Sequence, residues 1–185
     1  FAWFADKRYH VLKGDVELPS TKRKVTTWSL FTDNQATLWS KSPEYIHDAV
    51  FYYSQWVGEY PYRQVTVVDG TIHAGGGMEY PNVTVIGEVS GAFSLDDVIA
   101  HEVGHNWFYG MLGNNEREHA WMDEGINSFY EERYIRTKYP TQKMVGRFPA
   151  GVTKAFDIAQ YKHKYLMDAG YQVMARENYD EPLEQ

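Results

Sequence analysis

At 185 residues, with 43% hydrophobic and 16% aromatic side chains, the chain is long enough to bury a real core and is expected to be globular rather than disordered. A net charge of -7 leaves no basic footprint and excludes nucleic acid as a partner, and the lack of cysteine excludes disulfides and thiolate ligands. No run of about eighteen apolar residues occurs, so no transmembrane segment is expected.

In chain order, Phe1 to Ala5 reads as a buried strand, and Lys7 to Lys24 as a polar stretch with turns at Lys13-Gly14-Asp15 and at Pro19-Ser20. Val25 to Phe31 alternates as a strand does. Ser42-Pro43-Glu44 predicts a helix start, with Ser42 as N-cap and proline at the first helical position. Tyr45, Ile46, Ala49, Val50, Tyr53, Trp56 and Val57 then form an apolar stripe that ends at Gly58, and such a stripe is expected to be core.

Gln64 to Val68 predicts a short strand closed by Asp69-Gly70, followed by a loop to Gly77. The glycines of that loop are not a phosphate cradle, since no helix start and no Lys-Ser/Thr pair follow them. Met78 to Ile86 reads as a strand containing Pro81, which belongs at a sheet edge or at a bulge because proline cannot donate to a ladder. An open edge of that kind lets an extended peptide add as one more strand. Ser90 lies in no G-x-S-x-G elbow, which disfavours a serine hydrolase.

Ser94 and Asp97 fit a capping box, and Leu95, Val98, Ile99, Val103 and Trp107 recur at helical spacing, with Gly110 and Gly113 as stops. Within this helix stands His101-Glu102-Val103-Gly104-His105. Residues four apart share a helix face, so His101 and His105 can hold one metal ion, and their imidazoles suit zinc. Glu102 lies about 100° around the helix, placed to reach a water activated by that ion without being a ligand. A second helix is expected from Trp121 to Lys138, with Glu124 in its first turn as the third ligand and Glu131 two turns on, positioned to orient a ligand histidine. The metzincin alternative, with His119 as third ligand, fails because Phe108 and Met111 stand where glycine and histidine are required. His10, His47, His73 and His163 are expected to be surface or outlying residues.

With eighteen residues between His105 and Glu124, and Gly76-Gly77-Met78-Glu79 upstream, the stretch from about Lys24 to Tyr139 resembles the aminopeptidase N family of gluzincin metallopeptidases. Tyr80 stands where that family has asparagine. The resemblance implies an α+β, thermolysin-like lobe, a mixed sheet whose edge strand lines a cleft, with zinc-binding helices beneath. It implies one Zn2+ on His101, His105 and Glu124, Glu102 as general base, and Gly76, Gly77, Met78 and Glu79 contacting substrate, with Glu79 receiving the substrate ammonium. It further implies that residues 1–31 are the tail of a preceding β-rich domain and that 32–185 are a peptidase domain truncated on its C-terminal side. The expected partners are peptides with a free N-terminus and flanking domains of the same protein. The expected activity is zinc-dependent aminopeptidase, with a thermolysin-like endopeptidase or a non-catalytic relative as alternatives.

After Pro140, Val152 to Met167 reads as a helix ended by Gly170, and Glu177 to Glu184 as a solvated acidic run. The family places an oxyanion-stabilising tyrosine C-terminal to the third ligand. Tyr161, Tyr165, Tyr171 and Tyr179 lack its context, so that tyrosine is expected beyond Gln185. Both ends of the chain read as cuts in a longer protein, which leaves localisation open.

Overall fold

A computed structural model of the chain describes residues 2–72, 76–142 and 172–179. Contacts divide it into two compact units, Phe1–Tyr134 and Ile135–Gln185. The first unit contains a five-stranded mixed sheet of β1 (His10–Glu17), β2 (Lys24–Phe31), β3 (Gln64–Asp69), β4 (Gly77–Met78) and β5 (Val83–Ile86), in the order β1-β2-β3-β5-β4. The pairs β2–β3 and β3–β5 are parallel, while β1–β2 and β4–β5 are antiparallel. Residues 10–31, read from the sequence as the tail of a preceding domain, thus supply two strands to the same sheet as β3 and β5.

Strand β2 alternates with a period of two, but its buried face is Val25, Thr27, Ser29 and Phe31, not the face that carries Trp28 and Leu30. Helix α1 (Ala36–Trp39) leads into α2 (Ser42–Trp56), which packs on β1 and β2, and α3 (Ala92–Gly104) packs on α2, β4 and β5. The core between them holds Tyr45, Ile46, Val50, Leu95, Ile99 and Val103, all fully buried or nearly so. A π-helical turn, Trp121–Gly125, opens into α4 (Ile126–Lys138), whose Tyr134 hydroxyl donates to Asp96 in α3 at 2.7 Å. In the second unit the described residues are the end of α4, where Tyr139 N–H donates to the Ile135 carbonyl, and a helical turn at 172–176.

Several local expectations are corrected. Residues 2–5 form no strand, and Trp3 is 74% exposed. Lys13-Gly14-Asp15 is not a turn but the middle of edge strand β1, paired with Thr26, Thr27 and Trp28. Glycine serves close approach there, because a Cβ on Gly14 would stand 2.9 Å from Thr27 Oγ1. The Pro19-Ser20 turn is present. The cap of α2 is Lys41, one residue earlier than expected, because the Ser42 hydroxyl is taken by the Trp39 carbonyl and by Ser29.

The stretch from Met78 to Ile86 is a hairpin rather than one strand. Pro81 and Asn82 occupy its turn, so Pro81 removes no ladder donor, and the edge belongs to β4. Asn82 adopts φ +66°, a left-handed conformation that asparagine tolerates. Gly91, not Ser94, caps α3, and no side-chain capping bond forms. The helix also stops at Gly104, before the glycines expected to end it, and the chain turns through Asn106 N–H to Val103 O and Gly110 N–H to His105 O. Interhelical packing requires glycine at 104, as a Cβ there would lie 2.1 Å from Asn127 Oδ1 and 2.6 Å from the Tyr53 ring. The helix expected at 152–167 lies outside the described residues.

Candidate metal centre

The last turn of α3 and the π-helical turn before α4 bring three donors to one point. His101 Nε2 lies 3.2 Å from His105 Nε2 and 3.2 Å from Glu124 Oε2, and His105 Nε2 lies 3.6 Å from that same oxygen. Ligands at 2.0–2.1 Å from a tetrahedral zinc ion stand about 3.3 Å apart, so these three atoms have the edges of one face of such a tetrahedron. His105 is buried and closes the cluster from beneath, while the Glu124 side chain is 56% exposed. The donor set, two imidazoles and one carboxylate, fits zinc.

Each histidine is held from behind. His101 Nδ1 lies 2.8 Å from Glu131 Oε2, and His105 Nδ1 lies 2.6 Å from Asp123 Oδ1 and 3.2 Å from the Phe108 carbonyl. Facing acceptors assign the ring proton to Nδ1 and leave both Nε2 lone pairs converging with the Glu124 carboxylate. Three electron-rich atoms at such spacing need a cation between them. In the polypeptide alone a proton serves: burial pulls the His101 pKa down, but the Glu131 hydrogen bond and charge, with Glu102 and Glu124, override it and raise it to about 9. A metal ion competes with that proton for the same lone pair. Asp97, expected as a capping residue, is turned toward Glu131 instead, and burial together with that carboxylate pushes it up to about 8.

Glu131 sits where its helical spacing from Glu124 put it. Asp123 is a functional neighbour that sequence reasoning missed. The two adjacent carboxylates of the π turn reach different ring nitrogens, Asp123 Oδ1 lying 2.6 Å from His105 Nδ1 and Glu124 Oε2 3.2 Å from His101 Nε2. The position of Asp123 immediately before Glu124 was the only available signal.

Glu102 is buried, and its Oε2 has no hydrogen-bond partner among the described residues. Burial raises its pKa to about 8, opposed by His101 and reinforced by the charges of Glu79, Glu124 and Glu131. A buried, unpartnered carboxylate oxygen beside a cluster of metal donors is suited to take and return a proton. Gly77 lies directly over it, since a Cβ there would fall 2.4 Å from Glu102 Cδ. Gly77→Ala is therefore expected to displace the Glu102 carboxylate and lower kcat about tenfold or more without changing metal content. Unchanged kcat in that variant would show that the carboxylate has room to move.

Glu79 follows β4 and has a carboxylate oxygen within 4.8 Å of donor atoms of both Glu102 and His105. Gly76, at φ +71°, accepts a hydrogen bond from Gly87 N–H at 2.8 Å. Met78 lies apart from this cluster, on a cavity of about 600 Å³ lined also by Trp3, Phe4, Ile72, Tyr80 and Val85. His10 pairs with Asp33 and His47 with Asp48 at the surface. His73, His163, Tyr161, Tyr165 and Tyr171 lie outside the described residues. Tyr179 is 69% exposed.

The model of the "Peptidase family M1 domain" matches residues 45–182. Leucine aminopeptidase 2-1 of Meyerozyma guilliermondii is 40% identical over 62 residues, and leucine aminopeptidase 2 of Yarrowia lipolytica is 42% identical over 62. Each match covers 32% of this chain and 10% of the relative. Among solved structures, Legionella pneumophila aminopeptidase A in complex with aspartic acid aligns with a TM-score of 0.56 at 14% identity, over 70% of this chain and 16% of that one. An M1 zinc metallopeptidase from Deinococcus radiodurans aligns at 0.52 and 16%, over 69% and 29% respectively. The likenesses establish the shared α+β, thermolysin-like fold, of which this chain spans less than a third of either protein's length.

Proposed function

Because the chain belongs to peptidase family M1, we propose that it carries the metal site of a zinc-dependent aminopeptidase that removes N-terminal residues from peptides. One observation carries the reading: His101, His105 and Glu124 present the edges of a tetrahedral face, with the unpartnered Glu102 oxygen beside it. In this reading the three residues hold one Zn2+, and Asp123 and Glu131 fix the two imidazoles. Zinc bound there supplies Lewis acidity and brings the pKa of water down to about 7. Glu102 accepts the proton of the attacking water at Oε2 and returns it to the leaving amine. Positive charge at the neighbouring donors favours its ionised form and so prepares it for the first of these transfers.

Glu79 decides between exopeptidase and endopeptidase. Its carboxylate, held near both Glu102 and His105, is within reach of the ammonium of a peptide whose first bond is attacked. The leucine aminopeptidases among the relatives support the same choice. A charge-assisted hydrogen bond to that ammonium is worth roughly 1.5 to 3 kcal/mol. Glu79→Ala in the whole protein is accordingly expected to lower kcat/KM on free peptides by about ten- to a hundredfold and to leave zinc content unchanged. N-acetylated peptides should be poor substrates of wild type and variant alike. Wild-type cleavage of acetylated peptides at internal bonds, as fast as the trimming of free ones, would replace this reading with the thermolysin-like endopeptidase.

A further inference from the structure

Asn106, the residue after His105, joins the metal-binding helix to the turn that presents Glu79. It is 4% exposed. Its Nδ2 donates to the Val103 carbonyl at 2.9 Å, which anchors the amide to the end of α3. Its Oδ1 then accepts from the backbone N–H of Asn82 at 3.0 Å, across to the β4–β5 hairpin. The Tyr60 hydroxyl, 3.4 Å from Oδ1 and 3.2 Å from the Gln64 carbonyl, shares its proton between the two.

The Asn82 end of this link is equally fixed. The Asn82 carbonyl accepts from Thr66 N–H on β3 at 2.9 Å and from Gln64 Nε2 at 3.3 Å. Across the turn Val83 N–H donates to the Tyr80 carbonyl at 3.0 Å, and the Thr84 hydroxyl donates to the Met78 carbonyl at 2.7 Å. Glu79 therefore belongs to a short arch whose ends, Met78 and Asn82, are both tied down. Of these ties, the Asn106 bond refers the arch to the helix that carries His101 and His105.

We propose that Asn106 is a positioning residue for substrate specificity, setting the distance between the Glu79 carboxylate and the metal-binding histidines so that a free N-terminal ammonium fits between them. The proposal rests on the reading of Glu79 as the ammonium acceptor. The substitution that isolates the link is Asn106→Ser. A serine hydroxyl can still donate to the Val103 carbonyl, as serines near helix ends do, but is too short to accept from Asn82 N–H. Zinc content and the end of α3 are then preserved, while the arch loses its bond to Asn106 and keeps those to Thr66, Gln64 and Thr84.

The experiment is a double-mutant cycle in the whole protein, combining Asn106→Ser with Glu79→Ala, read as KM and kcat on one peptide in free and N-acetylated forms. On the wild-type background Asn106→Ser is expected to raise KM for the free peptide about tenfold, with kcat within about twofold and one zinc retained. On the Glu79→Ala background the same substitution should change KM less than about twofold, since the group it positions is gone. Equal effects on both backgrounds would overturn the proposal, because a merely structural role does not depend on Glu79. An unchanged KM on the wild-type background would overturn it as well. If Asn106→Ser does not fold, Asn106→Thr, whose hydroxyl has the same reach and can still donate to the Val103 carbonyl, carries the same cycle with the same two outcomes. Failure of the underlying reading is separately visible: wild type would then show no preference for the free over the acetylated peptide, before any Asn106 variant is compared.

Discussion

Glu102→Gln is expected to retain one zinc per chain and to lose about 10² to 10⁴ in kcat on free peptides, the range typical of a lost general base. The reasons lie in where this carboxylate sits. It is nearly buried, its Oε2 meets no donor among the described residues, and Gly77 packs against it without a side chain. Glutamine has the same size and no charge. Burial holds the Glu102 pKa at about 8 in the polypeptide, so at neutral pH the amide resembles the protonated carboxyl that the fold already accommodates. Folding and the His101–His105–Glu124 edges should therefore survive. What the amide lacks is a site for the proton of the attacking water. Metal analysis beside steady-state rates tests both halves, and a rate within about twofold of wild type would assign the base to another residue.

How far the site could be read from the sequence depended on periodicity. His101 and His105 are four apart on a helix that forms, so spacing alone put them on one face, while Glu124 came from its interval after His105 and Glu131 from its place on the next helix. Asp123 escaped because a residue adjacent to Glu124 is not one that helical spacing puts on the same face, and its contact with His105 is through a different ring nitrogen. The same reasoning explains the errors of boundary. Ser94 has the chemistry of a cap, but Gly91 precedes it, and the Leu95 N–H already bonds the Gly91 carbonyl. Lys13-Gly14-Asp15 has turn composition, yet its glycine answers to Thr27 across the strand pair, a contact no local pattern records. Pro81 was correctly placed near an edge but interpreted as part of a strand, because it was read for its missing ladder donor and not, together with Asn82, as a turn pair. Asn106 was invisible for the strongest reason: its partner, Asn82, is 24 residues away, and its role exists only in three dimensions.

His105→Ala should have the largest effect of all, on metal binding and on stability together, and the two can be separated. His105 is 1% exposed, with Nδ1 against Asp123 and Nε2 toward His101 and Glu124. Truncation removes one of three metal donors, so zinc should no longer be retained through mild purification. It also strands the Asp123 carboxylate, whose side chain is 4% exposed, without the ring that compensates it. Breaking a buried pair by removing one partner costs about 3 to 5 kcal/mol. Adding Asp123→Asn to His105→Ala removes the stranded charge, and should recover part of the lost stability and none of the zinc. Thermal unfolding with and without zinc reads both terms. At a thousandfold excess over Kd, zinc should stabilise the wild type by about 4 kcal/mol through mass action, and should leave either variant unmoved. One equivalent of zinc on His105→Ala would show that this histidine is not a ligand. Full stability in that single variant would show that Asp123 finds another partner, and that the carboxylate behind His105 is not there to hold it.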